Sequence, residues 1–389
     1  MNRALKAAAV ALATALLGAA AGCSGSTDSA ALSGFDGPIG SVNLREVCPA
    51  KIVVQSGWNP ESEFGYLYNL ISRHPTIDAG SKSTSGPLFA QGEYTGVDLE
   101  IRAGGPAIGF QPVMSRMYQD RDIMLGFVDT EQAISTFGAT PITSVFAPLE
   151  KSPQMIMWDP QTYPQVKTIA DLKAANAKVL YFQGEAYMNY LVGAGILGKD
   201  QVDSSYDGTP SFFVAAGGKA AQQGFASTEP YVYEHQVQSW NKPVAYQLIN
   251  DAGFPTYKST LAVRSGDLTQ QSACLKKLIP VVQRSMIDFL AAPGPADKLI
   301  VDSVAAYDTG WTYDSDNAAF AVEAMVRQGI VGNGTSSALG DFDTARLRKL
   351  LEITTPIFQA EGVNIPSDLT PEMVATNQFI DPSIGFATS

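Results

Sequence analysis

KIVVQSGWNPESEFGYLYNLIS, residues 51–72, is the stretch of sequence that decides the fold. Its first six residues, KIVVQS, have the pattern of a short buried strand, and the pattern ends at Gly57. Pro60 stands where the first turn of a helix tolerates proline. Beyond it, apolar side chains recur at the spacing of one helical face: Phe64, Leu67, Tyr68 and Ile71. The stretch predicts a strand that leads directly into a helix.

The same strand–helix order recurs downstream. VDLEIRA (97–103) alternates as a strand does, and an amphipathic helix is predicted over 110–118. DIMLGFVD (122–129) reads as a buried strand and precedes a predicted helix over 130–137. Repetition of this order predicts an α/β fold whose mixed sheets are mainly parallel.

A new strand–helix unit begins near residue 168, and a helical block ends the chain. The unit is predicted to contain helices over 168–175 and 185–197 and strands over 178–183 and 244–249. The polar stretch 78–87 is predicted to be an exposed loop inserted before the second strand. A return strand and three long helices are expected over 259–265, 272–291, 316–328 and 344–360.

Size and charge limit the classes of function. Removal of the first 22 of 389 residues would leave 367, more than one core usually organises, so two domains are expected. The formal net charge of −12 disfavours nucleic acid and anionic lipid surfaces as partners. Because no apolar run of 18 residues follows residue 22, we expect no membrane-spanning segment.

LLGAAAGC (16–23) indicates where the protein resides. Arg3 and Lys6 precede an uncharged apolar run, which is typical of a signal peptide over 1–22. A cysteine directly after Ala-Gly predicts a lipoprotein that is cleaved before Cys23 and lipidated on its thiol. Ala20 stands where leucine is usual, so ordinary secretory cleavage near Ala21 stays an alternative. Either reading predicts an extracytoplasmic protein, followed by a flexible tether over 23–47.

The cysteine count supports the same location. If Cys23 carries lipid, Cys48 and Cys274 remain as one pair in a compartment that permits disulfides. Two buried free thiols are the alternative.

Four short motifs carry a resemblance to a known family: VVQSGWNPESEFGYLY, GVDLEIRAGGP, TIADLKAANAKVLYF and GKAAQQGFASTEPY. Together they resemble type II periplasmic solute-binding proteins of ABC importers, in the branch of thiamine-pyrimidine, riboflavin, nitrate and taurine binders. The resemblance implies a two-lobed fold, with lobe 1 over 48–149 and 260–389 and lobe 2 over 150–259. A hinge of two crossing segments is implied near 147–155 and 257–263. It further implies a monomer that delivers a small solute to a permease and its ATPase, with a lipid anchor as its membrane contact.

The candidate ligand-binding residues follow strand ends, where α/β folds collect ligands. An indole such as Trp58 can stack on a planar solute. Gly104 and Gly105 allow the backbone to approach a ligand closely, and the helix N-terminus that follows them is expected to present free N–H groups to an anion or a carbonyl. The number of aromatic residues near these loops favours a planar, heteroaromatic solute. Core packing or helix capping is the alternative role for several of the candidates. The ligand-binding set is Trp58, Asn59, Tyr66, Gly104, Gly105, Asp129, Thr130, Gln183, Tyr187 and Glu229.

Catalysis finds little support in the sequence. No G-x-S-x-G, H-E-x-x-H, C-x-x-C or Walker pattern occurs, and we expect neither a cofactor nor a metal. Two alternatives stay open. One is an enzyme of the same fold, similar to a pyrimidine synthase, and the other is a ligand sensor of the cell envelope that feeds no transporter.

Overall fold

Two mixed β-sheets with helices on their faces make up the computed structural model, which describes residues 33–387. The predicted signal peptide and Cys23 lie outside the described residues. The α/β class with mixed sheets is confirmed. Six of the ten strand pairings are antiparallel, so the parallel share is smaller than the sequence suggested.

The first sheet has seven strands in the order β2-β3-β4-β1-β5-β12-β6. Its central strand, β1, runs parallel to both neighbours, β4 and β5, and the other pairings are antiparallel. The carboxyl ends of β1, β4 and β5 therefore lie at one edge. The strands are β1 Lys51–Gln55, β2 Thr76–Asp78, β3 Ser83–Ala90, β4 Glu93–Arg102, β5 Ile123–Val128, β6 Ile142–Phe146 and β12 Thr260–Arg264.

The second sheet has five strands in the order β11-β7-β10-β8-β9. β8 runs parallel to β10 and β9, so the carboxyl ends of these three strands also share one edge. The strands are β7 Gln154–Trp158, β8 Lys178–Leu180, β9 Val202–Asp203, β10 Ala220–Phe225 and β11 Ala245–Leu248.

Helices cover both faces of the first sheet. One face packs against α1, α8 and α9, and the other packs against α2 and α3, which meet α11. α11 also contacts α5 of the second sheet's layer. The helices are α1 Gly65–Ile71, α2 Val113–Gln119, α3 Thr130–Thr136, α4 Asp171–Ala174, α5 Ala186–Gly193, α6 Ser211–Ala215, α7 Glu229–Tyr231, α8 Leu268–Ala291, α9 Gly294–Tyr307, α10 Ser315–Arg327, α11 Thr344–Ala360 and α12 Pro371–Val374.

The chain passes between the two sheets twice. The first crossing segment, 147–153, joins β6 to β7, and the second crossing segment, 249–259, joins β11 to β12. The first lies within the predicted position 147–155, whereas the second overlaps the predicted position 257–263 only at residues 257–259, because β12 begins at Thr260.

Arg346, near the start of α11, ties the two crossing segments together. Its guanidinium donates hydrogen bonds to the carbonyl oxygens of Glu150 (2.6 Å), Pro255 (2.8 Å) and Thr256 (2.7 Å). It also lies 3.7 Å from the centre of the Tyr257 ring, at cation–π distance. One side chain therefore holds the two connections between the sheets side by side.

Three local predictions are wrong. Residues 78–87 are not an exposed loop: β2 and β3 form a hairpin that pairs with β4 and buries Thr84. The first half of β3 is rich in serine and threonine, and this polar composition concealed the strand. The helix predicted over 110–118 begins at Val113, because Pro112 precedes it and residues 105–108 form a 3₁₀ turn. The sequence reading also missed α9.

A flexible tether was expected over residues 23–47, but the described part of that range, residues 33–47, is packed against the first sheet. Ile39 bridges to Tyr94 in β4, and the Leu44 amide donates to the Thr95 carbonyl at 2.8 Å. Phe35 makes an edge contact with the Tyr94 ring at 4.9 Å. These apolar side chains, scattered among small polar residues, pack residues 33–47 against the first sheet.

Cys48 and Cys274 form a disulfide across 226 residues of sequence, as expected. The bond fixes the segment that leads into β1 to α8. A link across so long a loop lowers the conformational entropy of the unfolded chain, and this stabilises the folded state. Among residues 33–387, no helix is both long and apolar enough to cross a membrane.

Candidate functional site

The carboxyl-end edges of the two sheets meet at one place. The hydroxyl of Ser227, which follows β10, donates a hydrogen bond to the carboxylate of Glu63, which follows β1. Both groups are buried. We call the region where the two edges meet the interlobe cleft, formed by residues 56–63, 129–131, 182–185, 226–229 and Lys258.

Six carboxyl groups and one ammonium occupy this cleft. The carboxyl groups come from four loops of separate strands, and their charges act on one another or on Lys258. We call the carboxyl groups the acidic cluster: Glu61, Glu63, Asp129, Glu131, Glu185 and Glu229.

Lys258 is the cation that balances part of this charge. Its ammonium donates to Asp129 Oδ2 at 2.6 Å, and the Ser259 amide donates to the other oxygen of the same carboxylate at 2.8 Å. Burial lowers the pKa of Lys258, but the charges of Asp129, Glu185 and Glu131 outweigh burial and raise it. The ammonium therefore stays charged and is already paired.

Burial raises the pKa of the remaining carboxyl groups. It brings the pKa of Glu63 to about 7, against the hydrogen bond from Ser227, and the pKa of Glu229 to about 7. Burial together with the charge of Asp129 raises the pKa of Glu131 to about 8. These groups share protons near neutral pH, because a single lysine cannot neutralise them all.

Two predicted site residues on lobe 1 are held by the second crossing segment. Thr130 accepts a hydrogen bond from the Tyr257 amide at 3.0 Å and lies 3.1 Å from the Thr256 hydroxyl. Thr256 also donates to Glu131. Asp129 is bound to Lys258, as described above. The structure thus gives Asp129 and Thr130 a role in joining β5 to the connection between the sheets.

The glycine pair supports the loop after β1 instead of presenting free N–H groups. The Gly104 amide donates to the Trp58 carbonyl at 2.8 Å, and the Gly105 amide donates to the Gly57 carbonyl at 3.1 Å. A Cβ atom on Gly105, whose φ is +53°, would lie 2.6 Å from the Trp58 ring. The amides of the two glycines are therefore already bonded within the chain, and the glycines allow the indole to lie against the backbone.

Trp58 and Asn59 lie at the outer part of the same loop. The Trp58 ring is partly exposed and makes an edge contact with Trp311 at 5.9 Å. Asn59 is buried; its Oδ1 accepts from the Thr309 hydroxyl at 2.8 Å. Its Nδ2 has no hydrogen-bond partner within the described chain.

The remaining predicted residues divide between core, cleft and surface. Tyr66 is fully buried against Phe146, with ring centres 5.9 Å apart, so it packs in the core. Tyr187 is buried and donates to Gln223 Oε1 at 2.6 Å. Gln183 is exposed. Glu229 belongs to the acidic cluster, and its Oε2 accepts from the Phe225 amide at 2.6 Å.

The ligand-binding set predicted from the sequence does not include Glu61, Glu63, Glu131 or Lys258. The sequence pattern could have pointed to the three glutamates, because each stands in the segment after a strand of the first sheet. Glu61 and Glu63 follow β1, and Glu131 follows β5. Lys258 had no such signal, since its place depends on the second crossing segment. Within residues 33–387, no group of three or more His, Cys, Asp or Glu residues is arranged to hold a metal ion.

Comparison with solved structures identifies the fold. The aliphatic sulphonate binding protein SsuA of Escherichia coli is 13% identical, with a TM-score of 0.54 over 88% of this chain and 96% of that chain. A protein from Bordetella bronchiseptica is 13% identical, with a TM-score of 0.51 over 85% and 95%. The alkanesulfonate-binding protein SsuA of Xanthomonas axonopodis pv. citri, bound to MOPS, is 11% identical, with a TM-score of 0.50 over 84% and 98%.

These likenesses show the fold alone: the chain has the two-lobed fold of periplasmic binding proteins. No protein-family model matches the chain, and no curated protein matches its sequence.

The raised pKa values of the acidic cluster predict an unusual pH dependence of stability. Between about pH 5 and pH 8 the folded protein keeps protons that the same carboxyl groups release in the unfolded chain. The free energy of unfolding should therefore fall by at least about 2 kcal/mol as the pH rises through this window. Denaturant unfolding at pH 5, 6, 7 and 8 measures it. Glu131→Gln should reduce the slope, and a flat or rising stability in the parent protein would contradict the assignment.

Proposed function

We propose that this protein is the solute-binding component of an ABC importer and that its ligand binds in the interlobe cleft. The observation that carries the proposal is the meeting of the two carboxyl-end edges at the Glu63–Ser227 hydrogen bond. Ligands of open α/β sheets bind at such edges, and here two of them enclose one region. No chemical step is proposed. The protein captures the solute and presents it to a membrane permease driven by an ATPase.

Closure of the two lobes around the solute provides the mechanism. The lobes are joined by the two crossing segments, and Arg346 holds these segments together, so their rotation would be a shared one. A solute that contacts both edges stabilises the closed arrangement, because only that arrangement makes both sets of contacts.

Aromatic side chains make the cleft suitable for a small planar solute. In lobe 2 the rings of Phe182 and Tyr206 are partly exposed, with centres 4.7 Å apart. The charge of Glu229 acts on the Tyr206 hydroxyl, which places this ring beside the acidic cluster. Trp58 offers a further partly exposed ring on lobe 1. A sulphonate is disfavoured as the solute of this chain, because Lys258 is already paired with Asp129.

A lipid anchor on Cys23 completes the proposal. The motif at 16–23 supports cleavage and lipidation, and residues 24–32 then precede the part that packs on lobe 1. The protein would be a monomer held at the outer face of the membrane, beside its permease.

Retained solute and thermal stabilisation test the binding function. Native mass spectrometry of the protein, purified without a ligand-removal step, should show an added small-molecule mass. A thermal-shift panel of ring-containing vitamins, amines, alcohols and sulfonates should contain a solute that raises Tm, since a ligand that binds the folded state alone stabilises it. Absence of both an added mass and a shift would contradict the proposal.

Substitution of Cys23 tests the anchor. The parent protein should fractionate with membranes and dissolve on detergent treatment, whereas Cys23→Ala should be recovered in the soluble fraction with unchanged solute binding. A Ser26→Ala variant is the matched control, because it changes a nearby small side chain and leaves both Cys23 and the disulfide in place. Equal partitioning of the parent protein and Cys23→Ala would refute lipidation at this residue.

A further inference from the structure

We propose that the solute bound in the interlobe cleft is an organic cation, a planar or ring-containing amine or quaternary ammonium. This inference rests on the proposed function, since it takes the cleft as the binding site and assigns the chemical class of its occupant. Three features carry it: an unpartnered buried carboxylate, the charge balance of the cleft and the aromatic faces beside it.

Glu61 is the carboxylate that the chain leaves without a partner. It is only 8% exposed, yet within residues 33–387 neither a side chain nor a backbone group donates a hydrogen bond to it. The charges of Glu63, Glu229 and Lys258 act on it, which groups it with the acidic cluster. A buried carboxyl group is normally hydrogen-bonded or paired, and the missing partner here is best supplied by a ligand.

The charge balance decides the sign of that ligand. Glu61 joins the other five carboxyl groups of the acidic cluster, while the cation that acts on Glu61, Glu63, Glu131 and Glu185 is Lys258. Because Lys258 is bound to Asp129 at 2.6 Å, it has little charge left for a bound anion. An anionic solute would meet uncompensated negative charge, whereas a cation would relieve it.

Aromatic rings distinguish an organic cation from a bare metal ion. Phe182 and Tyr206 present partly exposed rings whose centres lie 4.7 Å apart, and the charge of Glu229 acts on the Tyr206 hydroxyl. Ring faces attract an ammonium group through the ring quadrupole and cover its apolar substituents. Carboxylates next to ring faces therefore suit a charged nitrogen attached to carbon.

The test compares solutes that differ in charge but little in shape. One set is benzyltrimethylammonium, benzyl alcohol and benzenesulfonate, and a second is N-methylpyridinium, pyridine and pyridine-3-sulfonate. Affinities for the full-length protein are measured by calorimetry at pH 7.5, with CaCl₂ and ZnCl₂ as additional probes. In at least one set the cation should bind at least about tenfold more tightly than its neutral and anionic relatives, the scale of one charge-assisted contact.

Glu61→Gln separates a ligand contact from a structural role. The amide has nearly the shape of the carboxylate and loses no hydrogen bond within the described chain, so the variant should fold. Removal of a buried acid whose ionisation is opposed by burial, Glu63 and Glu229 should raise the Tm of the ligand-free protein at pH 7.5, while the affinity for the cation falls about tenfold or more. Glu46→Gln is the matched control: its side chain is 69% exposed, and the variant should change neither quantity.

The outcomes separate this inference from the proposed function. Tighter binding of the neutral or anionic members, or binding of Ca²⁺ or Zn²⁺ alone that Glu61→Gln abolishes, overturns the cation while a solute-binding role stands. A Glu61→Gln variant that loses stability and keeps its affinity also overturns it. If no solute of any charge binds, the proposed function fails and the inference fails with it.

Discussion

Burial of six carboxyl groups around one lysine is the constraint on which the rest of the structure depends. At an effective dielectric constant of 20, two like charges about 4 Å apart repel by about 4 kcal/mol, so such a group cannot be fully ionised without compensation. The chain meets this constraint with the Lys258–Asp129 pair, with hydroxyl donors from Ser227 and Thr256, and with protons. Each of these contacts also joins one sheet to the other or to the second crossing segment. The contacts that compensate charge inside the cleft are thus also contacts that connect the two lobes.

The proposed closure of the lobes would act on the same contacts that hold the charges of the cleft. Ser227 and Glu63 come from opposite edges, so any separation of the lobes exposes both groups to water. Arg346 acts at the other end of the same connection, where it holds both crossing segments and stacks on Tyr257. α11, which carries Arg346, also contacts α3 and α5, so it bridges the layers of the two sheets. A solute that supplies positive charge to the cleft would favour the closed arrangement at the point where the lobes touch.

Local sequence patterns were sufficient for the framework and insufficient for the site. The strand and helix at 51–71 follow from apolar periodicity, and the disulfide between Cys48 and Cys274 follows from parity once Cys23 is set aside. The hairpin of β2 and β3 was missed because its strands are rich in serine and threonine. The amides of Gly104 and Gly105 bond to the neighbouring loop, a supporting role that no periodicity reveals. Lys258 was missed because its partners lie more than 100 residues away.

The number of protons exchanged on binding tests directly whether a cation replaces the protons of the acidic cluster. Calorimetric titration of the protein with its tightest-binding cation at pH 7, repeated in phosphate and in Tris, gives the number of protons exchanged, because the two buffers differ in ionisation enthalpy. Glu63 and Glu229 have a pKa of about 7 and Glu131 of about 8, so a cation that takes the place of their protons must release them. We expect a net release of protons when the cation binds. Proton uptake, or an identical heat in both buffers, would contradict it.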